Sequence, residues 1–298
     1  MLRSMYSGIS GMKGFQTKLD NIGNNIANVN TYGFKKGRVT FQDMMSQTMS
    51  NAQGPIANEA GDGNIRGGLN PSQVGLGSQV GSIDTIHTQG NRQTTNRPLD
   101  LSLEGDGMFV LAEGGEAGID TDGALDLGSV NTSFTRAGNF YLDSDGAIVN
   151  NEGKYLVGQV EDDGGNDTAG VITIPDEAQS FSIQTDGTVN YVDENGDPQV
   201  AGQVRLAKFS NPSGLEKLGG NSFQYTENAG EPIDALENLL VAGQDGTGQM
   251  VSGALEMSNV DLAESFTEMI TSQRGFQANT KIITTSDEIL QELVILKR

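Results

Sequence analysis

The chain has 298 residues, of which 35% are hydrophobic and 41 are glycine, and it contains no cysteine and no tryptophan. Lacking thiols, it can form no disulfide, Cys-ligated zinc or iron–sulfur centre, or thiol nucleophile, and its Gly-rich, aromatic-poor make-up suits short strands and tight turns better than a compact enzyme. The formal net charge is −21, and residues 43 to 259 set eight basic side chains against 32 acidic ones, a field that repels nucleic acid and anionic lipid.

At the N-terminus, MLRSMYSGISGMKGF has neither the apolar run nor the small-residue cleavage site of a secretory signal, so export would use another route. No window is apolar enough to span a membrane. The spacing predicts a helix over about 3–28, with Phe15, Leu19, Ile22, Ile26 and Val29 at alternating intervals of four and three. Gly8, Gly11 and Gly14 each cost such a helix about 1 kcal/mol relative to Ala, so it is expected to persist only when a partner covers its apolar face. Residues 1 to 42 carry Arg3, Lys13, Lys18, Lys35, Lys36 and Arg38 against Asp20 alone, a local net charge of about +5.

Residues 51–72 have no period and concentrate Gly, Asn and Pro, which predicts a long extended connector. Short β-type runs follow at 82–87, 99–103, 108–111, 133–136, 140–142 and 147–149, and continue to about residue 242. Asp145-Gly146, Asp186-Gly187 and Asn195-Gly196 are hairpin signals, and 142–149 loosely echoes 183–189 as a second similar hairpin. The middle of the chain is therefore expected to be an antiparallel β domain.

No catalytic, cofactor or metal site is expected. His87 is the only histidine and reads as a surface residue on a strand near Asp84. The Asp193 to Asp197 run offers oxygen ligands at alternate positions, but Pro198 stands where a calcium loop needs glycine, so it reads as a solvated hairpin tip. The glycines of 75–81 have the wrong spacing for a dinucleotide fingerprint.

A second helix is predicted over about 262–296, with Asn259 or Asp261 as its cap and Lys297 and Arg298 at its negative end. Leu262, Phe266, Met269, Gln273 and Phe276 repeat the four-and-three spacing of the first helix. From Ile282 onward the apolar residues Ile282, Ile283, Ile289, Leu290, Leu293, Val294, Ile295 and Leu296 spread around most of the circumference, more than one partner helix can cover. Matching stripes at opposite ends of the chain predict a polymerising subunit, with those stripes as the assembly seam.

The run from Asn24 to Lys35, NNIANVNTYGFK, with Asn24, Asn25, Asn28, Asn30, Gly33 and Phe34 as its marks, resembles the N-terminal signature of bacterial flagellar rod and hook axial proteins. Ser258 to Leu262 (SNVDL), Gln273 to Asn279 (QRGFQAN) and Thr285 to Leu290 (TSDEIL) are similar to that family's C-terminal segment. Leu99 to Leu101, Gly105 to Phe109 and Thr135 to Tyr141 resemble its central β region.

This resemblance implies a mainly β subunit with long terminal helices pairing as a coiled coil. Residues 1–32 and 260–298 would form an inner tube, 33–72 and 243–259 connectors, and 73–242 an outer β shell. Phe15, Leu19, Ile22, Ile26, Val29, Leu262, Phe266, Met269, Phe276, Ile283, Ile289, Leu290, Leu293 and Leu296 would be the inner-helix assembly residues. The implied partners are further copies of the chain in a helical homopolymer, a rod protein below, a hook–filament junction protein above, and the hook cap and type III export apparatus during assembly. Gly253 to Leu262 and Gln291 to Leu296 look most like a hook subunit, a flexible universal joint located outside the cell. The alternative is a distal rod subunit, a rigid drive shaft, because distal-rod relatives carry an extra stretch comparable to 51–72.

Overall fold

A computed structural model describes residues 2–57, 64–114, 125, 127–128, 130–161, 167–230, 235–244 and 246–296. The charges expected to close the second helix, Lys297 and Arg298, lie outside these. Two long helices frame a chain that is otherwise mainly strand: α1 spans Leu2–Ala27 and α2 spans Leu262–Leu296. The polypeptide divides into two compact units, one made of 1–26, 37–84 and 261–298 and the other of 27–36 and 85–260.

These boundaries differ from the expected ones. The segment expected to be a bare connector contains short strands, because its polar runs pair with one another and with residues just beyond it. Strand Gly37–Asp43 pairs with Ser78–Thr85. An antiparallel ribbon follows, Ser46–Ser50 against Ser72–Gly75 and Ile56–Ala57 against Asn64–Arg66, with a single bridge between Gln53 and Leu69. Residues 37–84 thus belong with the helices and not with a connector or the β domain. At the other end, 249–256, also expected as connector, forms two strands of the second unit, Gln249–Ser252 on Leu101–Glu104 and Ala254–Glu256 on Arg92–Thr94.

The second unit is built on a 12-stranded antiparallel sheet. Its central strand, Met108–Glu113, lies between Asn131–Thr135 and the ends of Tyr155–Glu161 and Pro198–Ala207. Alternation along this strand feeds two cores. Met108, Val110 and Ala112 join Phe134, Val157, Phe209 and Phe223, while Phe109 and Leu111 join Leu101, Phe140, Leu156, Leu206 and Met250. A strand covered on both faces loses the apolar–polar alternation of a half-exposed one and reads as a continuous apolar run. Edge-to-face rings stiffen each core, Phe134 with Phe209 at 4.8 Å and Phe109 with Phe140 at 5.3 Å.

Strand Tyr155–Glu161 changes partners midway, from Met108–Glu113 at Tyr155 and Leu156 to Pro198–Ala207 at Gly158 and Gln159. A Cβ at Gly158 would stand 2.6 Å from the Gln203 carbonyl oxygen, so this bend requires glycine. The three hairpin signals each lie between paired strands: Asp145-Gly146 joins Tyr141–Leu142 to Ile148–Val149, Asp186-Gly187 joins Ser180–Ile183 to Thr188–Val192, and Asn195-Gly196 joins Thr188–Val192 to Pro198–Ala207.

Candidate functional site: the terminal helices and a buried ion cluster

In the first unit, the helix glycines mark close approaches. A Cβ at Gly11 would lie 2.7 Å from Asn279 Nδ2, one at Gly8 lies in contact range of Ile283, and one at Gly14 would fall 2.7 Å from the Phe41 ring. Gly275 returns the contact, since its missing Cβ seats the Phe15 ring, which also packs on Phe41 at 5.7 Å. The residues that weaken α1 in isolation are thus the ones that admit its neighbours. Thr280 Oγ1 adds a hydrogen bond to Met12 Sδ at 3.4 Å.

Along α2 the covered positions are Gly275 and a four-and-three repeat at 265, 269, 272, 276, 279, 283, 286 and 290, which reads Ser, Met, Ser, Phe, Asn, Ile, Ser and Leu. Of the expected stripe, Met269 and Phe276 lie on this line, as do Ile283 and Leu290 from further along the helix. Leu262 and Phe266 do not, at 42% and 49% exposed, and neither do Ile289, Leu293 and Leu296. On α1, Ile22 is buried while Phe15, Leu19 and Ile26 are half-buried, as is Val29 just beyond the helix. Asp261 caps α2, its Oδ1 accepting the Ala263 N–H at 2.8 Å and that of Glu264 at 3.3 Å.

The Asn-rich motif divides its tasks. The Asn25 amide exchanges two hydrogen bonds with Gly37, donating to its carbonyl at 2.9 Å and accepting its N–H at 3.0 Å, which ties the end of α1 to the strand that follows. Asn28 Oδ1 accepts the Thr31 hydroxyl, whereas the side chains of Asn24 and Asn30 are exposed. Gly33 adopts φ +69°, and a Cβ there would stand 2.6 Å from the Ala137 amide nitrogen.

Within the second unit, the segment that enters it (27–36) and the one that leaves it (254–260) converge on a buried ion cluster that no pattern in the sequence announces. Glu256 is its hub. Its Oε1 accepts Lys35 Nζ at 2.5 Å and the Gly90 N–H at 2.9 Å, its Oε2 accepts Arg136 Nη1 at 3.1 Å, and its main-chain oxygen accepts the Gly33 N–H at 2.8 Å. All three charged residues are at most 5% exposed. Burial pulls the Lys35 pKa below its usual value, and the Glu256 carboxylate opposes that fall. Asn259 completes the junction: its Oδ1 accepts the Lys36 N–H at 2.7 Å, and its Nδ2 donates to the Ile86 and Thr88 carbonyls at 2.8 and 3.2 Å.

His87, expected on the surface, instead packs its ring 5.3 Å from Phe223, with both ring nitrogens buried and without a hydrogen-bond partner. Arg136 and Glu256 were not among the expected site residues. The one available signal was their position within segments already singled out, Thr135 to Tyr141 and Gly253 to Leu262.

At Asp193–Asp197, backbone and side-chain hydrogen bonds close a hairpin tip, and among the described residues no group of three His, Asp or Glu side chains forms a metal-binding cluster. Among the described residues no helix is long and apolar enough to cross a membrane.

Comparison with known proteins assigns these elements. Residues 5–35 match the family of flagella basal body rod proteins, 102–191 the flagellar hook protein FlgE/F/G D1 domain, and 251–296 the C-terminal region of flagellar basal body rod FlgEFG proteins. The chain is 52% identical over 298 residues to the flagellar basal-body rod protein FlgG of Bacillus subtilis (strain 168), covering 100% of both. It is 37% identical to the flagellar basal-body rod protein FlgG of Caulobacter vibrioides, covering 97% of each. Against the flagellar hook protein FlgE of Borreliella burgdorferi it is 32% identical over 453 aligned positions, covering 100% of both chains. These families and relatives are structural components of the flagellum, and the chain belongs to the family of flagellar basal-body rod and hook axial proteins.

Proposed function

We propose that this chain is a rod subunit of the flagellar basal body, polymerising into the helical tube of the distal rod. The observation that carries this reading is the end-to-end 52% identity to a rod protein of the same length. The hook match is weaker and spreads over 453 positions, which requires long gaps in a chain of 298. The expected hook assignment, drawn from Gly253 to Leu262 and Gln291 to Leu296, therefore takes second place. The stretch 51–72 favours the same choice, because distal-rod relatives carry a comparable extra stretch there and the shortest hook sequences do not.

In this reading the terminal helices pair as a coiled coil in the inner tube. The exposed apolar residues Leu262, Phe266, Ile289, Leu293 and Leu296 meet other copies, where each buried side chain contributes about 1.5–3 kcal/mol. The β unit forms the outer shell. Subunits reach the growing tip through the type III export apparatus, and the chain is a mechanical element and not an enzyme. Electron microscopy of basal bodies from a strain lacking this gene tests the assignment. Loss of the distal rod is the expected result, whereas rods of normal length that lack only the hook would overturn it.

A further inference from the structure

His87 stands between two residues that hold both connecting segments of the second unit. The Ile86 N–H donates to the Lys36 carbonyl at 2.9 Å, and the Ile86 carbonyl accepts Asn259 Nδ2. The Thr88 carbonyl accepts Lys35 Nζ at 2.9 Å and Asn259 Nδ2 at 3.2 Å. Ile86 and Thr88 therefore grip the entering chain at 35–36 and the leaving chain at 259, and the residue between them is the only imidazole in the protein. Its ring nitrogens touch no solvent and find no acceptor.

The charges around the ring are unbalanced. Lys35 faces it from the entering segment, Arg136 from beyond strand Asn131–Thr135, and Lys217 from strand Glu216–Gly219. A cavity of about 320 Å³ beside the ring is lined by Arg136 and Lys208, with Asp106, an exposed carboxylate, at its edge. Glu256 is already shared by Lys35 and Arg136, and Asp84, three residues before His87, is paired with Arg38.

We propose that His87 is an acid-operated release: when its ring takes up a proton, the imidazolium must turn out toward water, and the 86–88 backbone that moves with it lets go of both connecting segments together. An imidazolium left in place would be a further cation beside Lys35, Arg136 and Lys217, with neither buried ring nitrogen within reach of an acceptor. Burial and the three neighbouring cations also hold the His87 pKa down, to about 4 from an ordinary 6.5.

The sign follows. A base whose folded pKa is depressed favours the open state as pH falls, so protection is complete above 6.5, declines between 6.5 and about 4, and levels off below. This behaviour is a property of the folded subunit and does not depend on whether it builds rod or hook.

Hydrogen exchange of the full-length chain, read by mass spectrometry at pH 7.5, 6 and 5, tests it, since these conditions stay above the isoelectric point near 4.2. Protection factors of peptides covering 30–36, 86–90 and 254–260 should fall by up to tenfold per pH unit below about 6.5, one proton being taken up on opening. Those covering Leu101–Glu104 should not change. His87→Gln should abolish the fall, and if that variant folds poorly, His87→Phe, which keeps an unprotonatable ring against Phe223, should do so. The same fall in either folded variant, a uniform loss across the unit, or an imidazole that titrates near 6.5 by NMR would each overturn the proposal.

Discussion

At the scale of single residues, Glu256 is the side chain on which most depends. It is one carboxylate answering two buried cations, so its neutralisation strands both. Removing one partner of a buried ion pair costs about 3–5 kcal/mol, because the charge left behind has lost both water and counter-ion. Glu256→Gln should therefore lower the urea-unfolding free energy of the chain by that amount. A loss below ~1 kcal/mol, the usual worth of an exposed pair, would show that water reaches the cluster. Little of this was legible in the sequence. Lys35 sits in a basic N-terminal run whose ordinary meaning is a solvated face, while Arg136 and Glu256 lie far along the chain in segments notable only for resemblance. His87 was misread for a related reason: a polar residue at the end of a strand gives no sign that a distant ring, Phe223, will cover it.

Among the elements, the helices and hairpins were the readable part. Four-and-three spacing and Asp-Gly or Asn-Gly pairs are local signals, and α2 runs over Leu262–Leu296 as the pattern required. Which line of α2 is covered was not readable. Every second position of the covered repeat is Ser or Asn, at 265, 272, 279 and 286, polar side chains that leave no trace in a hydrophobicity pattern, and one of them, Asn279, is the residue that meets Gly11. The rest of the apolar surface stays outside, with Leu293, Val294, Ile295 and Leu296 between 48% and 81% exposed. This separates folding from assembly. Deleting residues 293–298 should leave the thermal midpoint of the dilute monomer nearly unchanged and yet prevent tube formation in sedimentation assays. A large drop in midpoint, or tubes of normal yield, would show that the exposed end of α2 is not the surface that copies share.

For the molecule as a whole, the net charge of −21 opposes polymerisation, since each added copy brings further like charge close. Screening at 0.15 M salt shortens the reach of that repulsion to about 8 Å. Sedimentation should therefore show monomers at low ionic strength and tubes as salt is raised, a trend opposite to that of an assembly held by attractive ion pairs. Tubes that dissolve on adding salt would reverse the assignment of forces.

The junction at Glu256 also bears on how such a subunit can change over evolutionary time. Because the continuous stretch of the second unit, 85–260, has its ends joined where Asn259 Nδ2 donates to the Ile86 and Thr88 carbonyls, everything between is topologically a single closed excursion with its ends already fastened together. The entropy of closing such an excursion grows only with the logarithm of its length, about 0.6 kcal/mol for each doubling. Extra residues can therefore accumulate at an outlying tip such as Asp193–Asp197 without disturbing the ends. Lengthening such a loop from about 170 to about 330 residues would by this measure add only about 0.6 kcal/mol to the entropy of closing it.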